Sequence, residues 1–153
     1  MEWSTHALSG IVAGYTLTGG DWKGAAVGGI AAVIPDLDEP KSKFGKLFFF
    51  ISIPVHSLFG HRTFTHSLLF ASVAGILLCP FVELWVTYAI VGGILAHILG
   101  DMLTGKVKLF YPSNKFVGIS IPSFSFTLID RITRLLLILY MGWTILTMIN
   151  LKL

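Results

Sequence analysis

An all-α, polytopic membrane helical bundle of about five spans, with one interfacial or re-entrant segment, is the fold class this sequence predicts. Three observations predict it. The mean hydropathy is +0.80, and 12% of the 153 residues are charged, about half the share in an average soluble domain. Long stretches carry no charge at all. The basic residues fall almost wholly on one side of the map those stretches draw. No linker, internal repeat or low-complexity tract interrupts the chain, so residues 1–153 read as a single integral-membrane domain.

The elements follow in order. The opening "MEWSTHALSG" has no basic region, so a cleaved signal peptide is not expected. Residues 3–20 are charge-free and long enough to span, since a crossing takes roughly 20 apolar residues and at least about 17. Residues 24–35 are short, and cross only if Trp22 and Lys23 at one end and the acids at the other reach the headgroups. "TGGDWKG" between the two reads as a tight turn. The resulting hairpin is rich in Gly and Ala, which suits close helix packing in lipid. Residues 47–61 follow three lysines and contain Pro54, and read as the interfacial or re-entrant segment. Residues 63–82, 84–100 and 135–151 each reach spanning length. Residues 105–129, with "FYPSN" and "IPSFSF", read as a loop that hugs the interface.

If five spans alternate, one side receives the N-terminus and the loops 36–62 and 101–134. It holds Lys41, Lys43, Lys46, Arg62, Lys106, Lys108, Lys115, Arg131 and Arg134, against Lys23 and Lys152 opposite. By the positive-inside rule the rich side is cytoplasmic. Topology thus absorbs the net charge of +3, and no nucleic-acid partner is expected. The lysines at 41–46 anchor on anionic lipid. The one cysteine, Cys79, allows neither an intrachain disulfide nor a thiolate zinc cluster.

The same map gathers the unusual polar residues on that side. His6 opens the first span. Asp36 and Asp38, in "PDLDEP", close the second. His61 and His66, in "GHRTFTHS", open the third, and His97 and Asp101, in "AHILGD", close the fourth. His97 and Asp101 stand i and i+4 on one helical face. Asp36 and Asp38 alternate in an extended turn and can present oxygens to the same centre. His61 and His66 lie about 140° apart on a helix and converge only if His61 sits in the turn before it. Thr63 or Thr65 is then the helix cap. Mixed imidazole and carboxylate ligation suits a divalent metal such as Zn, Mn or Fe. Seven donors are too many for one tetrahedral ion and suit two. Singly, each has an ordinary reading as a hydrogen-bonded polar group. Together, ionisable groups in lipid point to function. His56 reads as structural and Glu39 as solvated. Arg62, between two candidate ligands, has the fork that grips a phosphate. No HExxH, GxSxG or Walker sequence is present.

"THALSG", "PDLDEPKS", "GHRTFTHSL" and "AHILGDMLT" followed by "LFYP" resemble, over roughly residues 4–112, the YdjM-type family of membrane-bound metal-dependent hydrolases. The resemblance implies an inner-membrane protein and points to His6, Asp36, Asp38, His61, Arg62, His66, His97 and Asp101. A more distant likeness is to zinc-dependent phospholipase C and P1-type nucleases, which cleave phosphodiesters. Their order of His, Asp, His and His-x-x-x-Asp is present, but no histidine follows Asp101, so one or two metals are expected instead of three.

The expected function is hydrolysis of a phosphate ester, of a lipid or lipid-linked substrate, at the cytoplasmic leaflet. Arg62 would neutralise charge, and Asp36 or Asp38 would ligate metal or act as general base. The alternatives are a divalent-metal transporter or sensor, and a scaffold with a structural metal. Transport sites usually sit near the bilayer midplane, whereas these donors collect at one end.

Overall fold

In the computed structural model, residues 1–150 are described. Seven α-helices dominate them: α1 Trp3–Leu17, α2 Trp22–Ala31, α3 Lys43–Leu47, α4 Phe49–Phe59, α5 Leu68–Leu78, α6 Leu84–Thr104 and α7 Ser123–Asn150. A 3₁₀ turn, Pro35–Asp38, follows α2. Two short strands, β1 Lys106–Val107 and β2 Val117–Gly118, pair antiparallel after α6.

Among the described residues, two helices are long and apolar enough to cross a membrane, Leu84–Thr104 and Ser125–Asn150. The first rises about 32 Å, against a hydrocarbon core of about 30 Å. The expected spans 3–20, 24–35 and 63–82 instead carry helices of 15, 10 and 11 residues. Turns shorten them. Thr18 to Asp21 breaks the first hairpin, Pro35 starts the 3₁₀ turn, and residues 61–67 fold as an irregular turn ahead of α5. For the expected span 135–151, α7 is the helix, begun a dozen residues earlier. Leu151 and Lys152 lie outside the described residues. The stretch 105–129 is not all loop either, since it holds the small hairpin and the start of α7.

The molecule's apolar residues are mostly outside. Among the described residues, seven hydrophobic residues are buried against thirteen polar or charged ones. None of the apolar window of α7 is buried, and Leu135, Leu136, Leu139 and Trp143 all stand exposed. Water does not favour so wide an apolar exterior around a polar interior, whereas lipid does.

Glycine sets the centre. A β-carbon on Gly28 would strike Gly10 O and stand 2.8 Å from Gly14 Cα, and one on Gly93 would strike Gly28 O. The backbones of α1, α2 and α6 therefore touch, as small residues allow. This contact positions the site. His6, Gly10 and Gly14 are spaced by four on α1, and Gly93, His97 and Asp101 by four on α6. Each histidine thus lies on the glycine face, one turn beyond the backbone contact. The His6 and His97 rings consequently stack, with centroids 3.7 Å apart.

α7 runs alongside α1 in the same direction. Arg134 Nε donates to Thr5 Oγ1 at 3.0 Å near one end, and Tyr15 and Met148 meet near the other. The N-termini of α1, α5 and α7 and the C-termini of α2 and α6 therefore share one end of the bundle.

Candidate metal centre

His97 has the clearest role. Its Nδ1 lies 2.6 Å from the carbonyl oxygen of Ala32. A carbonyl only accepts, so Nδ1 carries the proton and Nε2 presents a lone pair. His66 is oriented similarly, with Nδ1 3.1 Å from Asp38 Oδ2 and Nε2 turned the other way. The two Nε2 atoms face each other at 3.0 Å. Asp101 Oδ2 is 3.3 Å from His66 Nε2, and Asp36 Oδ1 is 3.8 Å from His97 Nε2. His6 Nε2 is 3.2 Å from Asp101 Oδ1, yet neither ring nitrogen of this fully buried histidine has a hydrogen-bond partner.

Asp101 accepts from the Met1 amine and from Arg62 Nε, so the His6 nitrogens are the ones in this cluster left without a partner. The two facing Nε2 atoms repel unless a proton or a metal ion lies between them. The separations suit coordination: with metal–nitrogen bonds of about 2.0–2.1 Å, neighbouring tetrahedral ligands lie about 3.3 Å apart. Two triads, His6 with His97 and Asp101, and Asp36 with His66 and His97, can each close on one ion. The donor set therefore fits a divalent metal, which His6, His66, His97 and Asp101 would hold with Asp36 at its open side.

A third triad, Asp38, His61 and His66, can also close on an ion, and Asp38 is the most heavily hydrogen-bonded carboxylate of the cluster. It accepts from His61 Nδ1 at 2.6 Å, from Arg62 N at 3.1 Å and from the Thr65 hydroxyl. Burial alone would raise its pKa, but the hydrogen bonds and charge of His61 and His66 prevail and hold it well below the usual carboxylate range. This is the pattern of a carboxylate that orients histidines from behind.

The 3₁₀ turn explains why two carboxylates two residues apart do different work. At about 120° per residue, positions i and i+2 point to different sides. The extended turn expected from "PDLDEP" would have put them together. Asp38 is fully buried in the turn. Asp36 is 15% exposed and lines a cavity of about 270 Å³ with His61, Arg62, Asp101, Lys43 and Glu39. Burial pushes its carboxyl above the ordinary value. Glu39, expected to face water only, stands at this cavity's wall and accepts from Lys41 N at 3.0 Å.

Arg62 has φ 60°, in the left-handed region that a non-glycine residue adopts at a cost. Three contacts hold it there. Its N–H donates to Asp38, its carbonyl accepts from Lys108 N at 2.9 Å, and its Nε donates to Asp101 Oδ2 at 2.9 Å. Gly105 makes room, since a β-carbon there would strike Arg62 Nη1. The β1–β2 hairpin is thus the wall that keeps the guanidinium in place. His56 bonds the Asp38 carbonyl oxygen through Nδ1 at 2.8 Å, and so braces the turn from outside the cluster.

Four details lie outside what the sequence predicts. The cap of α5 is Ser67, whose side chain accepts from Phe70 N, and not Thr63 or Thr65. His66 therefore lies in the turn with His61, which is what lets both reach Asp38. Thr65 contributes the hydroxyl on Asp38. Asp130 and Arg134, on α7, hold the start of α1. Asp130 Oδ1 accepts from Glu2 N at 2.9 Å, and its Oδ2 accepts from Arg134 Nη2 at 2.7 Å. Their i, i+4 spacing at the head of an apolar helix was the available signal. The terminal amine of Met1 also reaches Asp101 Oδ1, at 2.7 Å.

A helical chain with an apolar exterior, and a buried His/Asp cluster at one end of its bundle, is of the integral-membrane class. It belongs to the YdjM inner membrane protein family, whose model matches residues 1–152. Inner membrane protein YdjM of Escherichia coli (strain K12) is 42% identical over 104 residues, covering 63% of this chain and 53% of that protein. Uncharacterized protein YvsG of Bacillus subtilis (strain 168) is 37% identical over 91 residues, covering 58% and 57%. The chain spans about half the length of these curated relatives. No solved structure matches it.

Proposed function

We propose that this protein is a multi-pass inner-membrane, metal-dependent hydrolase of phosphate esters whose site faces the cytoplasm. The observation that carries the reading is the convergence of His6, His66, His97 and Asp101, with Asp36 beside them and both ring nitrogens of buried His6 unpartnered, next to a cavity that also holds a guanidinium. A divalent metal bound there supplies positive charge that polarises a phosphoryl oxygen and acidifies water. The chain's own groups do the rest. Asp36, on the open side of the cavity, takes the proton from the attacking water. The water oxygen bonds to phosphorus as the ester P–O bond breaks. Arg62 holds the phosphoryl oxygens as charge builds on them. His61, whose Nδ1 is held by Asp38, lines the same cavity and passes a proton to the leaving alcohol.

Arg62→Lys tests this role. Lysine keeps the charge but loses the fork and the Nε bond to Asp101. Phosphate release by purified protein in detergent should fall about 100-fold, with metal content unchanged. Loss of metal alongside activity would make Arg62 a structural residue. Absence of turnover by the wild type with Zn, Mn or Fe would leave a structural-metal scaffold or a transporter.

In the topology we propose, α1, α2, α5, α6 and α7 each traverse the bilayer with help from their flanking turns. The basic residues among the described positions collect at the site end, with Lys23 alone opposite, which supports a cytoplasmic site. In a Cys79→Ser background, Lys41→Cys and Lys108→Cys should resist an impermeant maleimide in intact cells, whereas Gly20→Cys should react. Labelling at 41 or 108 from outside would overturn the orientation.

A further inference from the structure

We infer that the substrate's hydrocarbon chain lies in a groove between α1 and α2 that opens onto the phosphate-binding cavity; this rests on the phosphoesterase reading above. An apolar groove of about 320 Å³ runs along the outer face of these helices. Trp3, Ala7 and Ile11, spaced by four, form one wall, and Ala26, Ile30 and Val33 the other. Gly29 is its floor, since a β-carbon there would stand 2.7 Å from Ile11 Cγ1. From residue 3 to residue 11 the groove extends about 12 Å toward the bundle's middle.

Two observations commit the groove to a lipid with a phosphate headgroup. The first is continuity. Trp3 lines both the polar cavity and the groove, so the two adjoin at this ring, charged on one side and apolar on the other. The second is charge complementarity at the junction. Lys43 Nζ sits 4.9 Å from the Trp3 ring centre and lines the cavity with Arg62. The neighbouring Phe44 packs edge-on against Trp3, at 5.9 Å, and lines the groove. Asp36, Glu39 and Asp101 also line the cavity, so the complementarity lies at its rim, where an anionic headgroup meets Lys43 beside the aromatic rings that receive the apolar chain. A soluble phosphoester would use the cavity and leave the groove empty.

The test uses full-length protein in phosphatidylcholine vesicles containing phosphatidic acid with a diazirine in one acyl chain. Photolabel should map to peptides of α1 and α2. Ala26→Trp, which fills the groove from an exposed position, should cut that labelling at least about tenfold, since each buried methylene is worth about fourfold in affinity. Ile30→Trp repeats the test at a second exposed position. Both variants should still cleave p-nitrophenyl phosphate at the wild-type rate. Label spread evenly over α6 and α7, or unchanged by both substitutions, would overturn the groove. Labelling confined to the groove in a wild type that cleaves no ester would retain the lipid site and refute the hydrolase. Turnover of p-nitrophenyl phosphate with label elsewhere would do the reverse.

Discussion

If the proposed metal is bound, His97→Ala, His66→Ala and Asp101→Asn should each sharply reduce the divalent metal that purifies with the protein, while His56→Ala should not. The three residues come from the turn before α5 and from α6, and their donor atoms lie 3.0–4.0 Å apart. Removing any one opens the coordination and leaves the others facing one another unshielded. Loss of an orienting partner alone typically weakens metal affinity 10–100-fold; loss of a direct ligand should exceed that. His56 contacts only the back of the 3₁₀ turn through a carbonyl, so its removal should leave bound metal near the wild-type level. Elemental analysis of purified variants, with helicity measured in parallel, decides the matter. Undiminished metal in all three ligand variants would end the cluster hypothesis.

Asp36→Asn and Asp38→Asn should fail in different ways. Asp36 is open to the cavity, where a bound water can reach it. The amide removes both the base and a charge near His97, so phosphate release should fall at least about 100-fold, and saturating metal should not restore it. Asp38 instead holds His61, Arg62 and Thr65 by hydrogen bonds. An asparagine turns one acceptor oxygen into a donor facing those donors. Metal affinity should fall about 10–100-fold, with activity partly restored by excess metal. Glu39→Gln should change turnover little. The readout is initial rate against metal concentration for each variant. An Asp36 variant restored by metal, with an Asp38 variant that is not, would exchange the two roles.

Much of this was legible along the chain because it depends on residue type and local order. The helical character, the apolar surface, the Gly-rich hairpin and the histidines and aspartates at one end all follow from runs of uncharged residues and from where they stop. Spacing was informative wherever a helix was regular. His97 and Asp101 share a face because four residues make nearly one turn, and His6 and Gly10 share one for the same reason.

Element lengths and the division of labour among the donors were not legible. "PDLDEP" does not say whether its backbone is extended or 3₁₀, yet that decides whether Asp36 and Asp38 act together or apart. "GHRTFTHS" does not say that Ser67 caps the helix, which leaves His66 in the turn beside His61. Hydropathy along 3–20 and 63–82 does not mark where hydrogen-bonded turns cut the helices short.

The sequence by itself determined the class of protein and the inventory of reactive groups, since burial in lipid or water follows from side-chain transfer free energies that each residue carries with it. Only the tertiary structure decided which carboxylate faces the cavity and which stands behind the histidines, and how Asp130 tethers α1. Those outcomes rest on hydrogen bonds between residues 23 to 128 positions apart. Such bonds are directional and short-ranged, so they exist only once the glycine faces of α1, α2 and α6 have brought the backbones into contact.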